Sequence, residues 1–105
     1  MASSVIKKAS MWESVTIGTN TYGTCTGYKN ANLRMAFIRW NGNNNVPPSG
    51  GYAISFNLPS GFMPLGNSNT YMRNGDAMEV RTDGTVKFSI TNYWSGGSIM
   101  YPTQS

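Results

Sequence analysis

The sequence predicts an all-β domain, a compact β-sandwich or barrel of short antiparallel strands. Three observations carry this prediction. Apolar residues alternate at period two in several short runs, as half-buried strands require. Gly or Pro interrupts almost every window long enough for a helix, and apolar residues do not recur at helical spacing. Finally, Asp83-Gly84 separates two alternating runs, and Asp-Gly suits a tight hairpin because both positions tolerate positive φ.

Val15-Thr16-Ile17 reads as a short strand that ends at Gly18. Leu33 to Trp40, LRMAFIRW, is the clearest strand by length and aromatic content. It carries apolar residues on both faces, Met35 and Phe37 on one and Ala36, Ile38 and Trp40 on the other. A strand buried on both sides needs a second layer or a neighbouring subunit. Tyr52 to Leu58 places Tyr52, Ile54, Phe56 and Leu58 on one face. Ala77 to Arg81 and Thr85 to Thr91 form the hairpin: Met78, Val80, Val86, Phe88 and Ile90 face inward, and Glu79, Arg81, Lys87 and Ser89 face outward. Ile99 to Tyr101 is a last short strand. Five to seven such strands with one apolar face imply two packed layers or a closed barrel. The polar stretches Asn41 to Gly51, Gly66 to Thr70 and Asn92 to Ser98 read as loops.

NLPSGFMP, Asn57 to Pro64, is a rigid apolar corner. Pro59 stops ladder pairing, Ser60-Gly61 supplies a turn, and Pro64 fixes the exit. Phe62 and Met63 between them are too apolar for a surface turn. The corner is expected to carry the chain from one sheet to the other and to plug the end of the core.

With 105 residues, one domain is the default, able to bury roughly two thirds of its extended surface. Residues 1–10 are expected to be a disordered start, stem remnant or linker, and residues 11–105 a single domain. Charged residues make up 11%, against about 25% for an average globular protein, and Gly, Asn, Ser and Thr take their place. That composition fits extracellular or viral all-β surfaces rather than a disordered tail or coiled coil. Cys25 has no cysteine partner and histidine is absent, so a disulfide, a histidine-based triad and a clustered metal site are not expected. No apolar run reaches the length of a membrane span, and MASSVIKKAS lacks the apolar core of a secretory signal. The net charge of +4 comes from scattered bases, which argues against a dedicated phosphate-tracking stripe while favouring anionic polysaccharides or a bacterial wall.

LPSGFMP, the Asp-Gly hairpin after a polar stretch, and GGSIMYPT near the C-terminus occur in an order that resembles one family. Residues 28 to 103 are similar to the C-terminal head domains of tail-fibre, baseplate and receptor-binding proteins of phages infecting Gram-positive bacteria, of the lactococcal siphophage type. The resemblance implies a homotrimeric β head that binds host-surface saccharide without catalysis, on a virion tail tip, fibre or baseplate, synthesised in the host cytoplasm without a signal peptide. It implies contacts with other tail or baseplate proteins, and neither nucleic acid, a membrane span nor a cofactor. In those heads saccharide-contacting polar and aromatic residues occur on a hairpin like this one, which implies saccharide contacts for Glu79 and Arg81, matching the family's paired polar positions on the first strand, and for Lys87, matching another after the turn. Phe88 stands where some relatives have tryptophan.

Sugar recognition needs an aromatic face and a few fixed polar groups. Trp94 with Tyr93, in the loop NYWSGG, is the first candidate platform, and Trp40, before an Asn-rich loop, is the second. Trp12 reads as core or interface. Arg73 and Asp76 flank the hairpin. Each aromatic has an ordinary alternative as a packing residue, and the hairpin's polar residues as a solvated strand face. A glycosidase needs two carboxylates across one cleft, and only Glu13, Asp76, Glu79 and Asp83 are present. Three other functions stay open at this level: a structural baseplate or fibre domain that docks another phage protein, a carbohydrate-binding module of a bacterial wall-associated protein, and a nucleic-acid-binding barrel.

Overall fold

The computed structural model describes residues 12–105, so the expectation for residues 1–10 lies outside the described residues. Among these residues eight strands form: β1 (Glu13–Asn20), β2 (Gly23–Asn30), β3 (Met35–Gly42), β4 (Tyr52–Asn57), β5 (Ser68–Tyr71), β6 (Ala77–Val80), β7 (Thr85–Ile90) and β8 (Gly96–Pro102). They make two four-stranded antiparallel sheets, ordered β1-β2-β3-β8 and β4-β7-β6-β5. The sheets pack as a sandwich and do not close into a barrel.

The core lies between them. From the first sheet come Ala36, Ile38, Trp40, Ile99 and Tyr101, and from the second Ile54, Met78, Val80, Val86, Phe88 and Ile90, all buried. These are the inward positions of the predicted alternations. The Trp40 ring sits 5.0 Å from Phe88 and 6.4 Å from Phe56, centroid to centroid, in tilted contacts that aromatic quadrupoles favour.

Three strands depart most from the sequence reading. β2, GTCTGYKN, presents Gly23, Cys25 and Gly27 to the core, all small. A Cβ on Gly27 would stand 2.7 Å from the Phe62 ring, and one on Gly23 would stand 2.8 Å from Trp40 Cζ2. Large side chains from elsewhere fill the space that β2 leaves, so the strand has no apolar alternation of its own. β5 falls in a stretch read as loop, and β8 begins three residues earlier than expected, at Gly96. There the Met72 side chain lies over Gly97, where a Cβ would meet it at 2.8 Å.

The β6–β7 hairpin forms with Met78↔Phe88, Glu79↔Lys87 and Val80↔Val86 in register. Its turn is not the two-residue type with positive φ at both Asp83 and Gly84. Gly84 N–H donates to Arg81 O at 3.1 Å, Arg81 N–H donates to Thr85 O at 2.9 Å, and Gly84 alone is left-handed at φ +92°. This is the longer hairpin connection in which a turn ends in one left-handed glycine.

The corner also behaves differently from expectation. It joins β4 to β5, which lie at opposite edges of the same sheet, so the chain crosses the open end of the sandwich and returns. Phe62 N–H donates to Pro59 O at 3.1 Å with Gly61 at φ +89°, the left-handed third position of a type II turn. Phe62 and Pro64 are buried, and Tyr101 Oη donates to Phe62 O at 2.8 Å. Pro64 bridges Thr103, and Gln104 N–H donates to Met63 O at 2.9 Å. Lys29 closes the same end: its ammonium donates to Gly61 O and, at 2.6 Å, to the main-chain oxygen of Ser105. Desolvation there lowers its pKa.

Candidate functional site

The residues singled out from sequence do not form one cluster. Tyr93 and Trp94 sit at the end of the sandwich opposite the corner, in the β7–β8 loop, and both rings are about half exposed, at 49% and 58%. The loop is anchored on both sides. Trp94 N–H donates to Asn43 O at 2.7 Å, and Gly42 N–H donates to Ser95 O at 2.7 Å. Trp94 takes φ +51°, a left-handed conformation uncommon for a bulky side chain and costing roughly 1–2 kcal/mol. The surrounding hydrogen bonds hold it there and turn the indole outward.

Asparagines brace this end. Asn43 Nδ2 and Asn45 Nδ2 both donate to Thr21 O, at 2.9 and 2.6 Å. Asn43 N–H donates to Tyr22 O at 2.8 Å, and the rings of Tyr22 and Tyr52 lie 4.9 Å apart. On the other flank, Asn74 Nδ2 donates to Thr91 Oγ1 at 3.0 Å and to the Asp76 carboxylate at 3.1 Å. Three loops are thereby tied to the one that carries Tyr93 and Trp94.

Glu79 and Lys87 share the outer face of the second sheet, cross-strand neighbours in a shallow depression of about 470 Å³ floored by Ala53, Ser55, Ala77 and Ser89. Arg81 Nε lies 3.3 Å from Glu79 Oε1 and 4.0 Å from Asp83 Oδ2, so its charge is already shared between two carboxylates. Asp83 also accepts from the Thr85 hydroxyl at 2.6 Å and from Thr85 N–H at 3.1 Å. The Thr85 hydroxyl, first, and the cations of Arg81 and Lys87 hold the Asp83 pKa below its ordinary value.

Trp40 is not a surface platform. It is fully buried, and its Nε1–H donates to Ser95 Oγ at 2.8 Å. Its contribution is indirect: that bond fixes the residue after Trp94.

One surface was not identified as a site from sequence, the outer face of the first sheet. Its half nearer the corner is largely apolar, where Trp12, Tyr28, Phe37 and Met100, with Arg39 at the boundary between the halves, line a groove of about 330 Å³ and the Tyr28 and Phe37 rings pair at 5.7 Å. The half nearer Trp94 is polar. There Arg39, Asn41 and Ser98 meet Tyr71 and Arg73, which reach around the β8 edge, in a groove of about 430 Å³. The signal in sequence was the outward Phe37, already noted on the two-faced strand. Comparison with known protein families, with characterised proteins and with solved structures yields no match.

Proposed function

We propose that this chain is a non-catalytic saccharide-recognition head of a phage tail-fibre or baseplate receptor-binding protein, working as a homotrimer on the virion. The observation that carries the reading is the Tyr93–Trp94 loop: two half-exposed aromatic rings on a backbone pinned by Asn43 and Gly42. Rings held rigidly offer contact area to a sugar at low entropic cost, and the neighbouring asparagine side chains and loop carbonyls suit hydroxyl groups. The placement of the acids supports a role without catalysis. Glu79 and Asp83 are both engaged by Arg81, and Asp76 accepts from Asn74 within its own turn, so each of the three already has a partner within the fold.

The apolar groove of Trp12, Tyr28, Phe37 and Met100 favours a second role, as the face that contacts other copies of the chain or another tail protein. A self-contact of this kind would supply the neighbour that a strand with two apolar faces calls for.

Two measurements test the reading. Light scattering on a sizing column is expected to give a trimer. Binding to polysaccharides purified from Gram-positive cell walls is expected to fall at least about tenfold in Trp94→Ala, the scale of a lost aromatic contact. Unchanged wall binding by a folded Trp94→Ala protein would remove Trp94 from the site, and a wild-type chain that binds no wall polysaccharide would overturn the function.

A further inference from the structure

The polar groove beside the aromatic loop has a composition of its own. Arg39 and Asn41 rise from β3, Ser98 and Gly96 form the floor on β8, and Tyr71 and Arg73 come from β5 and the turn after it. Both arginines are exposed. No carboxylate lines the groove, and among the described residues neither guanidinium pairs with one, since the ion pairs there belong to Arg81. Asp76, in the same turn as Arg73, accepts from Asn74 at 3.1 Å. Arg73 is positioned by its backbone, whose N–H donates to Gly96 O at 2.9 Å, and its guanidinium lies over Gly96, where a Cβ would stand 3.6 Å from Nη2. Tyr71 is 78% exposed. The groove begins at Gly96, two residues after Trp94.

The geometry points to this groove as the seat of an anionic substituent on a saccharide chain, a carboxylate or a phosphate, bound by Arg39 and Arg73 with Tyr71 stacked on a ring of the same chain. This assignment rests on the saccharide reading above and adds the charge of the ligand. Two guanidinium forks without a carboxylate partner, in one groove of about 430 Å³, match an anion that presents two or more oxygens, as a carboxylate or a phosphate does. The size falls in the range of small-ligand sites, about 300–1,000 Å³. A polynucleotide would need further cations in line with these two. The other bases in the described residues point elsewhere: Lys29 is bonded at the corner end, Arg34 lies in the β2–β3 turn, and Arg81 and Lys87 sit on the second sheet.

Titration calorimetry of the whole chain with four probes tests this: oligogalacturonate, oligo(glycerol phosphate), maltoheptaose and oligo-dT. At least one acidic saccharide is expected to bind more tightly than the neutral one, and Arg39→Gln and Arg73→Gln are each expected to weaken it about tenfold, the scale of a lost charge-assisted bond. Arg34→Gln removes the same charge at the other end and is expected to change nothing. The tighter of the two acidic probes identifies the anion. Maltoheptaose binding without acidic preference would overturn the anion site and leave the saccharide reading standing. Failure of all three saccharides would overturn both. Oligo-dT binding as tight as the acidic saccharides, or equal weakening by Arg34→Gln, would reduce the groove to general positive charge and overturn the assignment. Melting curves of both arginine variants check folding, and wild-type affinity for the acidic probe must fall with salt.

Discussion

Replacing Phe62 with Ala tests whether the corner closes the core. The Phe62 side chain is 4% exposed, and its ring faces Gly27, which has no side chain to fill the space left behind. The main-chain bond from Tyr101 Oη to Phe62 O survives the substitution, so the measurement isolates the ring. Truncating a buried phenylalanine costs about 3–5 kcal/mol, the larger values arising where the cavity does not collapse. The rigid proline turn on one side and β2 on the other resist collapse. Set against a total stability of about 5–15 kcal/mol, the loss is a large fraction, and it lowers the melting temperature by roughly 12 °C or more. Urea titration followed by tryptophan fluorescence is the assay, with Trp40 in the core as the reporter, and the midpoint should fall at constant m. A loss below about 1 kcal/mol would mean that the ring contributes little to the core and that the corner is a surface connection.

Trp94→Gly is expected to leave the melting temperature within a few degrees of wild type, because glycine takes φ +51° without strain and the ring is half exposed; a large drop would show that the indole is packed. Cys25 is buried, and desolvation raises its pKa to about 12, so iodoacetamide at pH 8 is expected to label it only as fast as the chain unfolds; rapid labelling of the native protein would contradict this. The same thiol makes stability fall as pH rises from its ordinary value of 9.0 toward about 12, since the unfolded chain loses the proton first, and Cys25→Ala should flatten that slope in urea titrations. Asp83 acts at the other extreme. Its folded pKa is depressed, so its stabilisation is present above the ordinary carboxyl value of 3.8 and is lost as pH falls below it; Asp83→Asn should remove that component of acid destabilisation.

What the sequence made legible is what burial writes into a pattern. β3, β4, β6 and β7 showed because their inward residues are large and apolar, and each large residue occupies its own position in the core. β2 was invisible for the complementary reason. Its inward Gly23, Cys25 and Gly27 are defined by Trp40 and Phe62 arriving from distant positions, and no local window contains both partners. β5 is a four-residue edge strand whose inward Ser68 and Thr70 are half-buried, so neither hydrophobicity nor length marked it. The corner residues were legible as buried, yet their path was not: Pro59 and Pro64 fix local angles, whereas the sheet that the chain enters next depends on which edge β6 leaves unpaired.

The site is less legible because charge and exposure have no periodicity. Trp94 and Trp40 both stood beside polar loops in sequence, yet one is turned out by a left-handed backbone and the other turned in to bond Ser95. Scatter of the eight basic residues along the chain likewise proved a poor guide to their spacing in three dimensions. Arg39 belongs to the first sheet and Arg73 to a turn of the second, and they line one groove because β5 packs along the β8 edge, where Arg73 N–H bonds Gly96 O. With Lys29 tied to the corner carbonyls and Arg81 shared by Glu79 and Asp83, the remaining charge is not uniform over the surface. Two cations without a carboxylate partner line a groove beside the loop that exposes Tyr93 and Trp94. For an anionic saccharide, that adjacency matters more than the net charge of +4, because attraction at the surface is screened within about 10 Å and acts only where the cations gather.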